Sequence, residues 1–137
     1  MSALTVTAAN VRPLDGSVIR PFDSGEAVDP GELVYIATDG DVELADADLS
    51  LAATRAVGVV TAVEGGKDSG ASGDLVSVCV FGPVAGFSSL TPGANGYVSD
   101  TAGAIEDEAG TAERIVGFAE SATVFFVCPQ MNDPSSS

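Results

Sequence analysis

The sequence predicts an all-β fold, a small β-barrel or β-sandwich built from two related strand-turn-strand repeats, and three observations predict it. Short runs rich in Val, Ile, Thr, Phe and Tyr recur along the chain, the residue types that fit a pleated, half-buried surface. The 16 glycines and 7 prolines are spread between those runs along all 137 residues rather than pooled. Pro-Gly, a central Tyr and an Arg-x-Val-Gly signature then return in the same order in the second half.

Taken in order, residues 4–8 alternate in part, Leu4 and Val6 against Thr5 and Thr7, as a strand with one apolar face does. Asp15-Gly16 precedes a strand over 18–22, Pro30-Gly31 one over 33–37, and Asp39-Gly40 one over 42–44. Further strands are expected at 56–63, 75–81, 96–99, 114–120 and 123–127, with Pro92-Gly93, Asn95-Gly96 and Ala102-Gly103 as turns between them. Helix signals are thin: residues 46–54, with Leu49, Leu51, Ala52 and Ala53, fit one or two helical turns or a loop equally well.

The repeat aligns Pro30 with Pro92 and Tyr35 with Tyr97 at an offset of 62, then Arg55 with Arg114 and Gly58 with Gly117 at 59. The second copy is therefore three residues shorter in its loop. Pro-Gly suits the centre of a type II turn, Pro fixing φ and Gly supplying φ > 0. The glycine of the closing strand marks a bulge or a close backbone approach. These features divide the chain into an N-terminal arm with the first strands (1–20), a β-rich core holding the copies at 28–60 and 90–119 (21–129), and a flexible tail (130–137). The Gly/Ser stretch between the copies, Glu64 to Asp74, has four glycines and no apolar anchor, and reads as a mobile surface loop.

Twenty acidic residues against five basic ones and no histidine give a net charge of −15. Such a surface repels phosphate backbones and anionic lipid, which argues against nucleic-acid and membrane partners. With 45% hydrophobic residues and a mean hydropathy of +0.31 the chain is still apolar enough to fold. No run reaches the roughly 18 apolar residues of a spanning helix, and the start lacks the basic and apolar regions of a signal peptide. Without histidine, Ser-His-Asp and Cys-His catalysis are excluded.

The remaining chemical candidates are weak. The loop around Lys67 has Ala62 where a phosphate-binding loop needs Gly, and Asp68 where it needs Ser or Thr. From Asp39, the sixth and twelfth positions of a calcium loop are Leu44 and Ser50 instead of Gly and Glu. Asp46, Asp48 and Glu106 to Glu108 read as solvated carboxylates, and nothing marks an acid pair for glycoside hydrolysis. No enzyme activity, metal or cofactor is expected. Cys79 and Cys128 lie in apolar runs and are expected as buried thiols, with their pairing open. Arg55 and Arg114 are expected to pair with carboxylates at the rim of the fold. Arg12 and Arg20, outside the copies, are candidates for contacting an acidic partner or a neighbouring subunit.

The opening Ala3-Leu-Thr-Val-Thr-Ala-Ala-Asn10-Val11 resembles the start of small capsid decoration (cement) proteins of tailed bacterial and archaeal viruses. The repeated Pro-Gly, Leu-Val-Tyr, turn, Ala-Asp-Ala-Asp and Ala-Val-Gly-Val pattern is similar to theirs, as is Arg114-Ile-Val-Gly-Phe-Ala119 followed by Val124-Phe-Phe-Val127. The likeness covers about residues 3–129 and departs in the acidity and in the Gly/Ser insertion at 65–73. It implies a structural virion protein that docks outside an HK97-like shell, on the major capsid protein, and reinforces it. The protein would be made in the host cytoplasm, sit on the outer capsid surface and act as a dimer or trimer. A head-fibre or tail-associated domain recognising a host surface is the alternative. Leu4 and Val6 are expected in an arm that adds a strand to a partner's edge, with Arg12 and Arg20 beside them at the interface. The −15 charge, strongly screened near 1 M salt, suggests a saline host.

Overall fold

The longest apolar run, Leu75–Ala85, becomes the strand on which the rest is assembled. The computed structural model describes residues 3–130. Its strands are β1 (Thr5–Val6), β2 (Arg12–Pro13), β3 (Val18–Asp23), β4 (Leu33–Ile36), β5 (Val42–Leu44), β6 (Ala56–Val63), β7 (Leu75–Ala85), β8 (Phe87–Ser88), β9 (Asn95–Val98), β10 (Ile105–Glu106), β11 (Ile115–Ala119) and β12 (Val124–Val127). The main sheet runs β10-β9-β11-β12-β7-β6-β4-β5, is antiparallel, and curls into a half-barrel. β2 and β3 also pair with β7, and β1 pairs with β8 apart from this sheet.

β7 serves two neighbourhoods. Its first half pairs with β6 and β3, its second half with β12 and β2. Alternation along a regular strand would send Cys79 and Val84 to opposite faces, yet both enter the main core. Gly82, at φ +123°, lies between them and lets the strand turn over. A side chain there would begin 2.6 Å from Ser17 Cα.

The repeat is reproduced in register. Val34 faces Gly58 and Tyr35 faces Ala56 in the first copy; Gly96 faces Gly117 and Tyr97 faces Ile115 in the second. Both pairings carry a bulge at the same place, around Val57 and Val116. Ile36–Val42 and Tyr35–Glu43 match Val98–Ile105 and Tyr97–Glu106. The match extends to a fourth strand, since Val59–Cys79 and Val60–Val78 correspond to Phe118–Phe126 and Ala119–Phe125. Gly58 and Gly117 share one cause: a Cβ on either would run into the carbonyl oxygen of the neighbouring strand, Cys79 O or Phe126 O.

Several expectations need correction. The N-terminal arm is docked on its own chain: Leu4 N–H donates to Ile105 O (2.7 Å), Thr7 N–H to Gly86 O (3.0 Å), and Leu4 and Val6 pack against the main core. The 64–74 loop lies on the surface without an apolar anchor, as expected, and is tied down by polar contacts instead. Buried Ser24 donates through Oγ to Ala71 O (2.8 Å), Gly70 N–H donates to Val28 O (2.8 Å), and Lys67 pairs with Asp74 at 2.9 Å. Residues 46–54 hold one 3-10 turn, Ala52–Thr54, within the range expected. Cys79 is buried as expected, but Cys128 is exposed, and both are free thiols. β2, β8, β10 and the second half of β7 lie outside the expected strands; Pro13 falls in β2, and Gly82 and Pro83 in the second half of β7. Of the tail at 130–137, residues 131–137 lie outside the described residues.

Candidate interaction face

The two copies hold the same positions on the same strands but contribute opposite faces to the main core. Cross-strand partners share a face, so Val34, Ile36, Val42, Val60 and Val78 form one side of the first copy, and Leu33, Val59 and Cys79 the other. In the second copy the matching sets are Gly96, Val98, Ile105, Ala119 and Phe125 against Asn95, Phe118 and Phe126. The main core joins Leu33, Val59 and Cys79 of the first copy to Val98, Ile105, Val116, Ala119, Phe125 and Val127 of the second. One side of the first copy is thus stacked on the opposite side of the second.

That stacking leaves one side of each copy over. On the first copy, Val28 and its neighbours cover Val34, Val42, Val60 and Val78 in a second, smaller core. Its far end stays open as a groove of about 380 Å³ lined by Ile36, Val57 and Val80, with Phe22, Phe81, Cys128 and Pro129 around them. On the second copy the leftover side carries Phe118, stacked on Phe126 at 5.1 Å and 14°. Phe81 meets Phe126 edge-on at 5.1 Å and 89°. Because Phe81 also lines the groove, ladder and groove form one continuous apolar face.

Among the described residues this face has no carboxylate or cation in its groove lining, in a chain that carries twenty acids. It suits apolar protein contact, since exposed apolar patches rimmed by polar residues mark interaction sites. Comparison with known proteins adds no identity. No protein-family model matches the chain, and no curated protein matches it.

The residues singled out from sequence are placed in different settings. Arg12 and Arg20 are exposed on the β2–β3 edge and form no ion pair among the described residues. Arg20 stands two residues before Phe22 on the same strand face, at the margin of the groove. Leu4 and Val6 lie on the opposite, main-core side, so the structure does not bring the four candidates into one site. Arg55 is exposed, whereas its counterpart Arg114 is wholly buried instead of lying at the rim. The Arg114 guanidinium donates to Gln130 O (3.0 Å) and Thr54 Oγ1 (3.1 Å).

Of the carboxylates picked out for a cation, Glu106 is buried in β10 rather than solvated, with Ser99 Oγ donating to its Oε1 at 2.6 Å, and two others cap turns. Asp39 accepts the Asp41 N–H at 3.0 Å and Asp46 the Asp48 N–H at 3.1 Å. A hydrogen bond shared with Asp46 raises the Asp48 carboxyl. The Ala71 N–H and the Lys67 ammonium lower Asp74. Burial raises Glu32, whose Oε1 accepts the Asp29 N–H at 2.8 Å, and burial likewise raises the Cys79 thiol. Sequence reasoning missed the Phe81–Phe126–Phe118 ladder and the groove. The signal available was aromatic residues at two positions, 118 and 126, whose first-copy counterparts are Val59 and Cys79.

Proposed function

We propose that this chain is a structural virion protein of the capsid-decoration class, which binds the outer surface of an HK97-like shell through its major capsid protein and reinforces it. Support comes from the sequence resemblance and from the kind of surface the fold presents. The single observation that carries the reading furthest is the resemblance over about residues 3–129, borne on a doubled, hydrogen-bonded β scaffold. Arg12 and Arg20 add exposed positive charge along the adjoining edge, suited to acidic groups on a shell.

The docked N-terminus changes the way to test this. Deleting residues 1–10 would strip Leu4 and Val6 from the main core, so loss of binding would be confounded with loss of stability. Arg12→Glu with Arg20→Glu alters exposed positions only. Incubated with mature shells of the encoding virus, the wild-type chain should co-sediment to a saturating stoichiometry and raise the temperature at which shells rupture. The double variant should keep its fold and bind weakly. Absence of saturable shell binding by the wild type, or glycan binding in its place, would contradict the proposal.

A further inference from the structure

The apolar face has an internal precedent that says what fits it. Within one chain, the Leu33–Val59–Cys79 side of the first copy is buried on the Val98–Val116–Val127 side of the second. The leftover groove residues Ile36, Val57 and Val80 are the counterparts of Val98, Val116 and Val127, and the leftover Phe118 and Phe126 are those of Val59 and Cys79. Each open side is therefore the missing partner of the other. A solvated sheet face normally turns polar along its strand, yet these five positions stay apolar in a chain of net charge −15.

We propose that a second copy of this chain closes the face, in a two-fold contact that lays the Phe118–Phe126 ladder of each copy over the Ile36–Val57–Val80 groove of the other. A two-fold contact uses the same patch on both partners. Phe81 touches Phe126 and lines the groove, so ladder and groove lie side by side and one such contact covers both twice over. The uncharged groove lining among the described residues matters as well: two bodies of −15 repel each other least where carboxylates are absent. The contact concerns the free protein and does not need the shell reading.

Sedimentation velocity of the full chain tests it, over about 1 to 300 μM and in salt up to about 1 M to screen the net charge. The expected species is twice the 13.6 kDa chain mass. Phe118→Glu and Ile36→Glu alter side chains that are already 38% and 44% exposed, so the fold should persist by circular dichroism. Each should weaken dimerisation at least about tenfold. Leu49→Glu, at an exposed position off this face, should leave it unchanged. A chain monomeric throughout, a closed assembly larger than a dimer, or a dimer that ignores both face variants would overturn the proposal. So would a Leu49→Glu effect as large as theirs. Shell co-sedimentation is a separate readout, so failure of either proposal is seen independently.

Discussion

Val98 and Ile36 occupy the same register position in the two copies, yet Val98 has no exposed surface and Ile36 keeps 44% of its own. The reverse holds for Val59, fully buried, and Phe118, 38% exposed. Backbone pairing, bulge and closing glycine are common to both copies, so local structure does not set which side is buried. Tertiary stacking does, through the turn-over of β7 at Gly82 that brings unlike sides of the copies together. Duplication of a two-sided sheet leaves one side of each copy unmatched, and here both remain apolar.

Features common to the copies should respond alike and most strongly. Gly58→Ala and Gly117→Ala each drive a methyl into a neighbouring carbonyl oxygen, with an expected loss of about 4 kcal/mol or failure to fold. Urea unfolding of the two variants checks this; tolerance at one glycine alone would break the equivalence of the copies.

Features that differ between the copies should respond unequally. Val98→Ala is expected to cost about 2–3 kcal/mol, against less than about 1 kcal/mol for Ile36→Ala measured on dilute chain. Val59→Ala should likewise exceed the cost of a Phe118→Leu change. Equal losses within either pair would contradict the assignment of buried and open sides.

Matched arginines give a smaller contrast. Arg114→Ala strips hydrogen bonds to buried Thr54 Oγ1 and to Gln130 O and leaves a cavity, for about 2 kcal/mol or more. Arg55→Ala, on the surface, should fall within about 0.5 kcal/mol, as exposed pairs contribute little.

The smallest effect concerns Glu32, whose counterpart in the second copy is Ala94. Burial raises its carboxyl above 4.5, so the folded state holds the proton more tightly than the unfolded chain does. Its contribution is fully present below the unfolded value and is lost as pH rises through the raised folded one. Glu32→Gln keeps an acceptor for the Asp29 N–H and removes the charge. The variant should therefore be more stable than wild type at neutral pH, with the gap closing in acid below 4.5. A gap that widens in acid would contradict the sign.

Much of this scaffold was legible in the sequence. β-branched runs between Gly and Pro turns located nine of the strands, β5 and β6 with their bounds. The offsets of 62 and 59 foretold the register of both copies. Strands escaped notice where Pro13 and Pro83 sit in short or terminal pairings, and Pro21 was accommodated because β3 pairs with β7 alone. The interaction face was not legible, because the alternation in Leu-Val-Tyr-Ile and Asn-Gly-Tyr-Val is compatible with burying either side. Asn95 at the position of Leu33 was the one local hint that the second copy is turned the other way. Charge counting located no site, since Arg12, Arg20, Leu4 and Val6 are spread over two sides of the molecule.

Cys128 reports most directly on the central claim, that the sides left open by the duplication meet in a second copy. It is exposed and lines the groove, while buried Cys79 supplies an internal reference for unfolding. Alkylation of Cys128 should slow at least about tenfold between dilute and concentrated protein, and the fast rate should return in Phe118→Glu. An alkylation rate independent of concentration, with the chain folded and Cys79 unreactive, would contradict the account.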